Sequence, residues 1–78
     1  MTLNQLQPSG KEALKVEILA LRGPSSLVER LREMGFFEGT RLEVVGRLPW
    51  SGPWIVRLGA TSFALREDEA QCAEVSKV

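Results

Sequence analysis

The sequence predicts a mainly β domain, a small five-stranded, strongly bent antiparallel sheet or partly open barrel with one inserted α-helix. Alternating apolar and polar residues recur in short stretches, tight-turn residues separate these stretches, and one stretch with helical spacing interrupts them. The length of 78 residues allows one domain. Closure into a barrel would remove the unpaired edges that a flat sheet of this size exposes.

The first ten residues are polar apart from Leu3 and Leu6, and Pro8-Ser9-Gly10 is a turn signal. The two leucines either pack on the core or belong to a frayed terminus, and the sequence favours neither arrangement. The first strand is predicted at residues 13–21, and its second face becomes apolar near its end. Its core face carries alternating apolar residues, Leu14, Val16, Ile18 and Ala20.

A short helix is predicted next, with Ser26 at the N-cap and Glu29 completing a capping box. One face of this helix is apolar and carries Leu27, Leu31 and Met34. Gly35 follows and can take the left-handed conformation that ends a helix. Phe36 is then expected to make a closing apolar contact with Leu31.

The remaining strands are predicted at residues 40–48, 54–58, 61–66 and 72–76. Residues 49–53 form a loop, since two prolines and a glycine cannot continue a central strand. Gly59-Ala60 is expected to be a type II′ turn with glycine first, and residues 67–70 a single helical turn. One face of the strand at residues 40–48 carries Leu42, Val44, Gly46 and Leu48. The core faces of the later strands are expected to carry Trp54, Val56, Leu58, Phe63, Leu65, Ala73 and Val75.

The composition argues against several classes of function. Basic and acidic residues both number 10, so no general attraction to nucleic acid or to an anionic membrane is expected. The apolar runs are too short for a transmembrane helix or a signal peptide, so we expect no direct membrane insertion. The single Cys72 fits a reducing cytosol. The chain has no histidine and no nucleotide-binding glycine loop, so we expect a protein that is not an enzyme.

A metal site is the alternative that the sequence leaves open. Glu67, Asp68 and Glu69 offer hard oxygen ligands, and Cys72 offers a soft one, so weak binding of Fe²⁺ is conceivable. Adjacent residues of a helical turn point in different directions, however. We therefore favour a solvated acidic helix start and a small packing cysteine, and we expect no tightly held cofactor.

The loop at residues 49–53 carries Trp50 between two prolines. A large aromatic residue there either lies tucked under the loop or is displayed as an anchor for a contact. We favour the tucked arrangement, because an exposed tryptophan lowers solubility. The helix carries mixed charges that form either a solvated face or the polar rim of a protein contact: Glu29, Arg30, Arg32 and Glu33.

Three segments of the chain together carry a family resemblance: Arg30 to Phe36 with Gly39-Thr40, the proline-flanked loop from Leu48 to Ile55, and the run from Phe63 to Ala70. They resemble the FeoA family, ferrous iron transport protein A. The resemblance covers residues 13–76, which leaves residues 1–12 as an N-terminal extension and 77–78 as a tail. The sequence departs from the family at two loop positions. Gly52 stands where an acidic residue is common, and Trp50 stands where a smaller aliphatic residue is usual.

The resemblance implies an SH3-like barrel and an accessory protein that docks on FeoB, the inner-membrane ferrous iron transporter with a GTP-binding domain. It also implies a cytoplasmic location, peripheral to the inner membrane through that partner. We expect the contact to use the loop and the exposed helix face, namely Leu48, Pro49, Trp50, Pro53, Arg30 and Glu33. Two alternatives are a weak Fe²⁺ sensor built on Glu67, Asp68, Glu69 and Cys72, and weak self-association through an exposed strand edge.

Overall fold

The computed structural model describes residues 1–8 and 11–78 and confirms the mainly β prediction. Five antiparallel strands form one sheet: β1 (Leu14–Leu21), β2 (Arg41–Arg47), β3 (Trp54–Leu58), β4 (Thr61–Leu65) and β5 (Ala73–Lys77). Helix α1 (Ser25–Glu33) lies between β1 and β2 in the chain, and helix α2 (Glu67–Gln71) lies between β4 and β5. Two residues of the turn predicted at Pro8-Ser9-Gly10 lie outside the described residues.

The strands pair in the order β4-β3-β2-β1-β5. No β4–β5 pairing is present in the described ranges, so the sheet is open there and the partly open alternative is correct. The chain's first residues run along β5: Val75 N–H donates to Met1 O at 2.8 Å, and Thr2 bridges to Glu74. These contacts supply partners for backbone groups that β5 would otherwise leave unpaired.

A β-bulge explains why the first strand changes its buried face. Its register with β5 shifts between Ile18 and Ala20. Val16 and Ile18 are buried as predicted, but beyond the bulge Leu21 is buried and Ala20 is only half-buried. One extra residue in a strand reverses the alternation of its side chains. The face that points to solvent before the bulge therefore points to the core after it, and Leu21 is buried.

The predicted capping box at Ser26 and Glu29 is wrong. Helix α1 begins at Ser25 with Pro24 as its N-cap, and no side chain caps it. The Pro24 carbonyl accepts hydrogen bonds from the N–H groups of Leu27 at 3.0 Å and Val28 at 3.1 Å. Proline has its φ preset near the helical value, and the chain enters the helix two residues earlier than the serine pattern indicates.

The helix ends as the sequence predicts. Gly35 has a φ of +96°, and its N–H donates to Arg32 O at 2.9 Å. Phe36 N–H donates to Leu31 O at 3.0 Å, which completes a Schellman motif. Phe36 and Leu31 are both fully buried in the core. This ending directs the chain from α1 into the turn that precedes β2.

The core lies between the bent sheet, α1 and α2. Trp54 is its largest fully buried side chain, as predicted, and Leu3 and Leu6 are also buried in it. The N-terminal residues therefore pack against the domain and are not frayed. At the β3–β4 turn Gly59 has a φ of +60° while Ala60 does not have a positive φ, in agreement with the type II′ prediction. Within the described residues, no helix has the length and apolar character needed to span a membrane.

Candidate protein-interaction site

Strands β2 and β3 are joined by residues 48–53, here called the Trp50 hairpin. Leu48 N–H donates to Pro53 O at 3.0 Å, and Gly52 N–H donates to Pro49 O at 3.2 Å. Trp50 and Ser51 are thus the two central residues of a tight turn. Their φ angles are +57° and +58°, the arrangement of a type I′ turn.

This turn holds its backbone in an unfavourable conformation. Type I′ turns usually place Asn-Gly at the two central positions, because both require positive φ. A residue with a side chain pays about 1–2 kcal/mol to occupy the left-handed region. Here two such residues occupy it in succession. Strain of this kind persists only where the surrounding structure imposes it, and it is frequent at functional sites.

The expectation that Trp50 lies tucked under its loop is wrong. The indole is 96% exposed at the tip of the hairpin. The reason is the tightness of the turn: with two residues between its hydrogen-bonded ends, the loop cannot fold back over its own side chain. Trp50 is therefore displayed to solvent, which is the second arrangement considered from the sequence.

The turn also accounts for the glycine at position 52. A Cβ built on Gly52 would lie 2.9 Å from Leu48 Cβ and 3.0 Å from Pro49 O. Real Cβ atoms essentially never approach so closely, and one of the atoms met belongs to the backbone. An acidic residue at this position is therefore incompatible with this form of the hairpin. The tip carries no charge at all from residue 48 to residue 53.

Arg47 joins the base of the hairpin to the rest of the molecule. Its Nε donates to Gly52 O at 3.1 Å, and its Nη2 donates to Glu67 Oε2 at 2.9 Å. Its guanidinium carbon lies 5.0 Å from the centroid of the buried Trp54 ring, within range of a cation–π interaction. The sequence analysis did not single out this residue. An arginine beside a predicted hairpin loop, opposite a tryptophan, was the signal available.

The three acidic residues of α2 point to different partners, as their adjacency predicts. Glu67 accepts from Arg47 and, through Oε1, from Asn4 Nδ2 at 2.9 Å. Asp68 Oδ1 accepts from the backbone N–H of Glu69 at 2.9 Å. The carboxylate of Glu69 is buried and lies against the Arg30 guanidinium. In the described part of the chain, no three Asp, Glu, Cys or His side chains converge as a metal site.

Cys72 is buried between α2 and the segment before α1. Its thiol donates to Asp68 O at 3.3 Å, and a Cβ added at Gly23 would lie 2.8 Å from Sγ. Burial raises the pKa of the Cys72 thiol above its ordinary value, and the nearby carboxylates of Asp68 and Glu69 raise it further. The neutral thiol is the form that this environment favours, and it fits the interpretation of a packing residue.

Helix α2 connects the two surfaces that the sequence assigns to partner binding. Its Glu67 pairs with Arg47 at the base of the hairpin, and its Glu69 pairs with Arg30 of α1. Arg30 thus holds a buried carboxylate while part of its side chain remains exposed, and Glu33 is exposed on the same helix. The α1 face and the hairpin are therefore linked through a single turn of helix.

Comparison with solved structures finds the same fold in iron-transport proteins. The FeoA-like protein from Clostridium acetobutylicum matches with a TM-score of 0.86 and 26% identity, covering 100% of this chain and 86% of that one. Iron(II) transport protein A from Clostridium thermocellum matches with a TM-score of 0.84 and 32% identity, covering 100% of this chain and 46% of that one. The manganese-activated repressor ScaR matches at 0.85 but with 18% identity and 35% of its length, which shows the fold alone.

No curated protein sequence matches this chain. The model of the FeoA domain matches residues 1–77, nearly the whole length. The 32% identity to iron(II) transport protein A extends over the full chain and agrees with that match. This protein therefore belongs to the FeoA domain family, which is implicated in ferrous iron transport.

Proposed function

We propose that this protein is an accessory protein of ferrous iron uptake that binds the cytosolic part of a FeoB-like membrane transporter through its Trp50 hairpin. In this proposal it acts in the cytoplasm and is peripheral to the inner membrane through its partner. Family membership and the similarity to iron(II) transport protein A support the link to iron transport. No catalytic step is assigned to the chain.

The observation that carries the proposal is the display of Trp50 on a strained turn. An exposed indole and two left-handed residues both cost free energy in the isolated protein. Binding to an apolar socket on a partner would recover part of that cost by burying the ring, and tryptophan is among the residues that dominate binding energy at protein interfaces. A tightly hydrogen-bonded turn also fixes the backbone that carries the ring, which lowers the backbone entropy lost on binding.

The surroundings of Trp50 suit the edge of such a contact. Leu48 is 49% exposed at the start of the hairpin, and Pro49 beside it is exposed as well. With Pro53 they form an uncharged patch around the indole. Arg30 and Glu33 of α1 supply charged groups for a polar rim.

Tryptophan fluorescence tests the proposal directly. Trp50 is 96% exposed and Trp54 only 2%, so iodide should quench the emission of Trp50 and spare that of Trp54. We expect addition of the transporter's cytosolic domain to protect the quenchable fraction. The Trp50→Phe variant, which retains only the buried indole, is the control and should show almost no quenching in either state. Undiminished quenching of the wild-type chain at saturating partner would contradict docking through the hairpin.

An uptake assay tests the biological role. Ferrous iron uptake should fall when the gene for this chain is deleted and should return with the wild-type gene. A gene carrying Trp50→Ala should restore much less uptake at equal protein level. The control Leu19→Ala, which alters an exposed apolar side chain on β1, should restore uptake fully. Full restoration by Trp50→Ala would exclude the hairpin as the essential contact.

A further inference from the structure

We infer that Arg47 is the positioning residue of the Trp50 hairpin, and that its bond to Glu67 couples the hairpin to α2. The effect on partner binding rests on the function proposed above. The effect on the hairpin itself does not, because it can be measured in the isolated chain.

The geometry places the Arg47 guanidinium at the junction of three elements. One nitrogen donates to the carbonyl of Gly52, the last residue of the turn, at 3.1 Å. Another donates to Glu67 on α2 at 2.9 Å. The guanidinium carbon lies 5.0 Å from the ring centroid of Trp54, the buried residue with which Arg47 pairs across β2 and β3. Arg47 thus connects the end of the turn both to the buried Trp54 and to α2.

Only arginine can make these contacts together. Its guanidinium presents several N–H groups in a rigid planar fork and stacks on aromatic rings. A lysine ammonium is a compact point charge, which cannot reach the Gly52 carbonyl and the Glu67 carboxylate while covering the Trp54 ring. Arg47→Lys therefore preserves the charge and removes the combined contacts with Gly52, Glu67 and Trp54.

Glu67 is the acceptor that joins Arg47 to α2. Its Oε2 accepts from Arg47, while its Oε1 accepts from Asn4 in the N-terminal 3₁₀ turn (Leu3–Gln5). The carboxylate is thereby held from both sides and offers Arg47 a fixed acceptor. This arrangement gives α2 a direct effect on the hairpin, although Glu67 lies twenty positions along the chain from Arg47.

Because the turn is strained, its conformation depends on the contacts that Arg47 makes. Trp50 and Ser51 occupy left-handed conformations that they would leave if the loop were released. The apparent affinity of a binding loop falls in proportion to the fraction of molecules that hold its competent conformation. Loss of the Arg47 contacts should therefore weaken binding to the partner without removing any residue of the contact surface.

A matched control exists on the same pair of strands. Arg57 Nε lies 3.4 Å from Glu43 Oε1, and both side chains are about as exposed as those of Arg47 and Glu67. The Glu43–Arg57 pair lies at the other end of the β2–β3 ladder, away from the turn. Arg57→Lys therefore changes an arginine–glutamate ion pair of similar exposure and leaves the hairpin untouched.

Backbone ¹⁵N relaxation on the isolated chain tests the inference. In the wild-type chain we expect order parameters of about 0.85 for the amides of Trp50 and Ser51, the value of rigid backbone. In Arg47→Lys they should fall below about 0.6, in Glu67→Gln they should fall part of the way, and in Arg57→Lys they should not change. The urea midpoints of Arg47→Lys and Arg57→Lys should agree, which distinguishes local positioning from general destabilisation. Unchanged order parameters in Arg47→Lys would overturn the inference.

A second measurement applies the inference to the partner. Arg47→Lys should weaken affinity for the transporter's cytosolic domain by about three- to tenfold, while Arg57→Lys binds like the wild type. Equal affinity of the two variants would overturn the coupling to binding. If the wild-type chain does not bind that domain at all, the proposed function fails, while the order parameters still decide whether Arg47 positions the hairpin.

Discussion

Arg30 of α1 and Glu69 of α2 form an ion pair in which Arg30 Nε lies 2.8 Å from Glu69 Oε2. Glu69 is only 2% exposed, and Arg30 is the cation closest to its buried carboxylate, since Arg66 Nε lies 3.9 Å from Oε1. Its other oxygen, Oε1, accepts from the backbone N–H of Arg66 at 2.9 Å, which fixes the start of α2. The pair therefore joins the two helices and determines where α2 lies.

Removal of Arg30 should destabilise the fold, because it leaves a buried carboxylate without its closest cation. We expect Arg30→Met to lower the free energy of unfolding by about 2 kcal/mol, as measured by urea denaturation. The control is Arg32→Met on the same helix, whose pair with Glu38 is exposed on both sides and should contribute less than about 0.5 kcal/mol. Equal effects of the two substitutions would show that the Glu69 pair has no special role.

The Schellman ending of α1 depends on glycine at position 35. Gly35→Ala should lower the free energy of unfolding by about 1–2 kcal/mol, because the residue has a φ of +96° and its new Cβ would meet Leu58 Cδ2 at 3.2 Å. Gly46→Ala is the control, since no atom lies within 4 Å of its Cβ position and its φ is not positive. We expect its unfolding free energy to remain within about 0.5 kcal/mol of the wild type. A neutral Gly35→Ala would contradict the assigned helix ending.

The strain in the Trp50 hairpin predicts a substitution that stabilises the protein. Ser51→Gly should raise the free energy of unfolding by about 0.5 kcal/mol, because glycine occupies a φ of +58° without steric cost, although it also gains freedom in the unfolded chain. Ser62→Gly in the edge strand β4, where φ is not positive, should be destabilising by about 0.5–1 kcal/mol. Thermal melts of both variants provide the comparison. A destabilising Ser51→Gly would contradict the left-handed assignment.

The buried thiol predicts a pH dependence of stability. Burial raises the pKa of Cys72 in the folded protein above the value of about 8.5 for an unfolded cysteine. Above that pH the unfolded chain loses the proton first, so the folded state binds more protons and the free energy of unfolding falls until the folded thiol also ionises. Cys72→Ser keeps a donor for Asp68 O and cannot ionise in this range.

Urea midpoints of the wild type and Cys72→Ser at about pH 7 and about pH 9.5 measure this difference. We expect the wild type to lose more stability than the variant between the two values. The ionisable groups that both proteins share contribute equally to their changes in stability with pH, so these contributions cancel in the comparison. Parallel changes in the two proteins would show that Cys72 is not shielded from solvent.

Alternation and turn residues were sufficient to predict the sheet, because each strand has one buried face and its side chains repeat every two residues. The ending of α1 was equally predictable, since Gly35 is followed by the apolar Phe36 at the sequence spacing from Leu31 that a Schellman motif requires. The start of α1 was not. Ser26 and Glu29 match a capping box, but the carbonyl and preset φ of Pro24 compete with it and are used instead.

The candidate site was predictable in position but not in conformation. Proline and glycine marked the loop, but no sequence rule places tryptophan and serine together in left-handed conformations, since both positions usually require Asn or Gly. The bond between Arg47 and Glu67 was also not predictable, because Glu67 lies on α2 and meets Arg47 only in the assembled fold. Long-range pairs of this kind depend on the tertiary fold and leave no local pattern.

The most direct test of the central claim is a calorimetric titration of the FeoB-like transporter's cytosolic domain with three forms of this chain. The account predicts saturable binding by the wild type, the same affinity for Leu19→Ala, and an affinity at least about tenfold lower for Trp50→Ala. All three forms should first show the same urea midpoint, since both substituted side chains project from the surface. Equal affinity of Trp50→Ala and the wild type would contradict the claim that the displayed indole is the anchor of the contact.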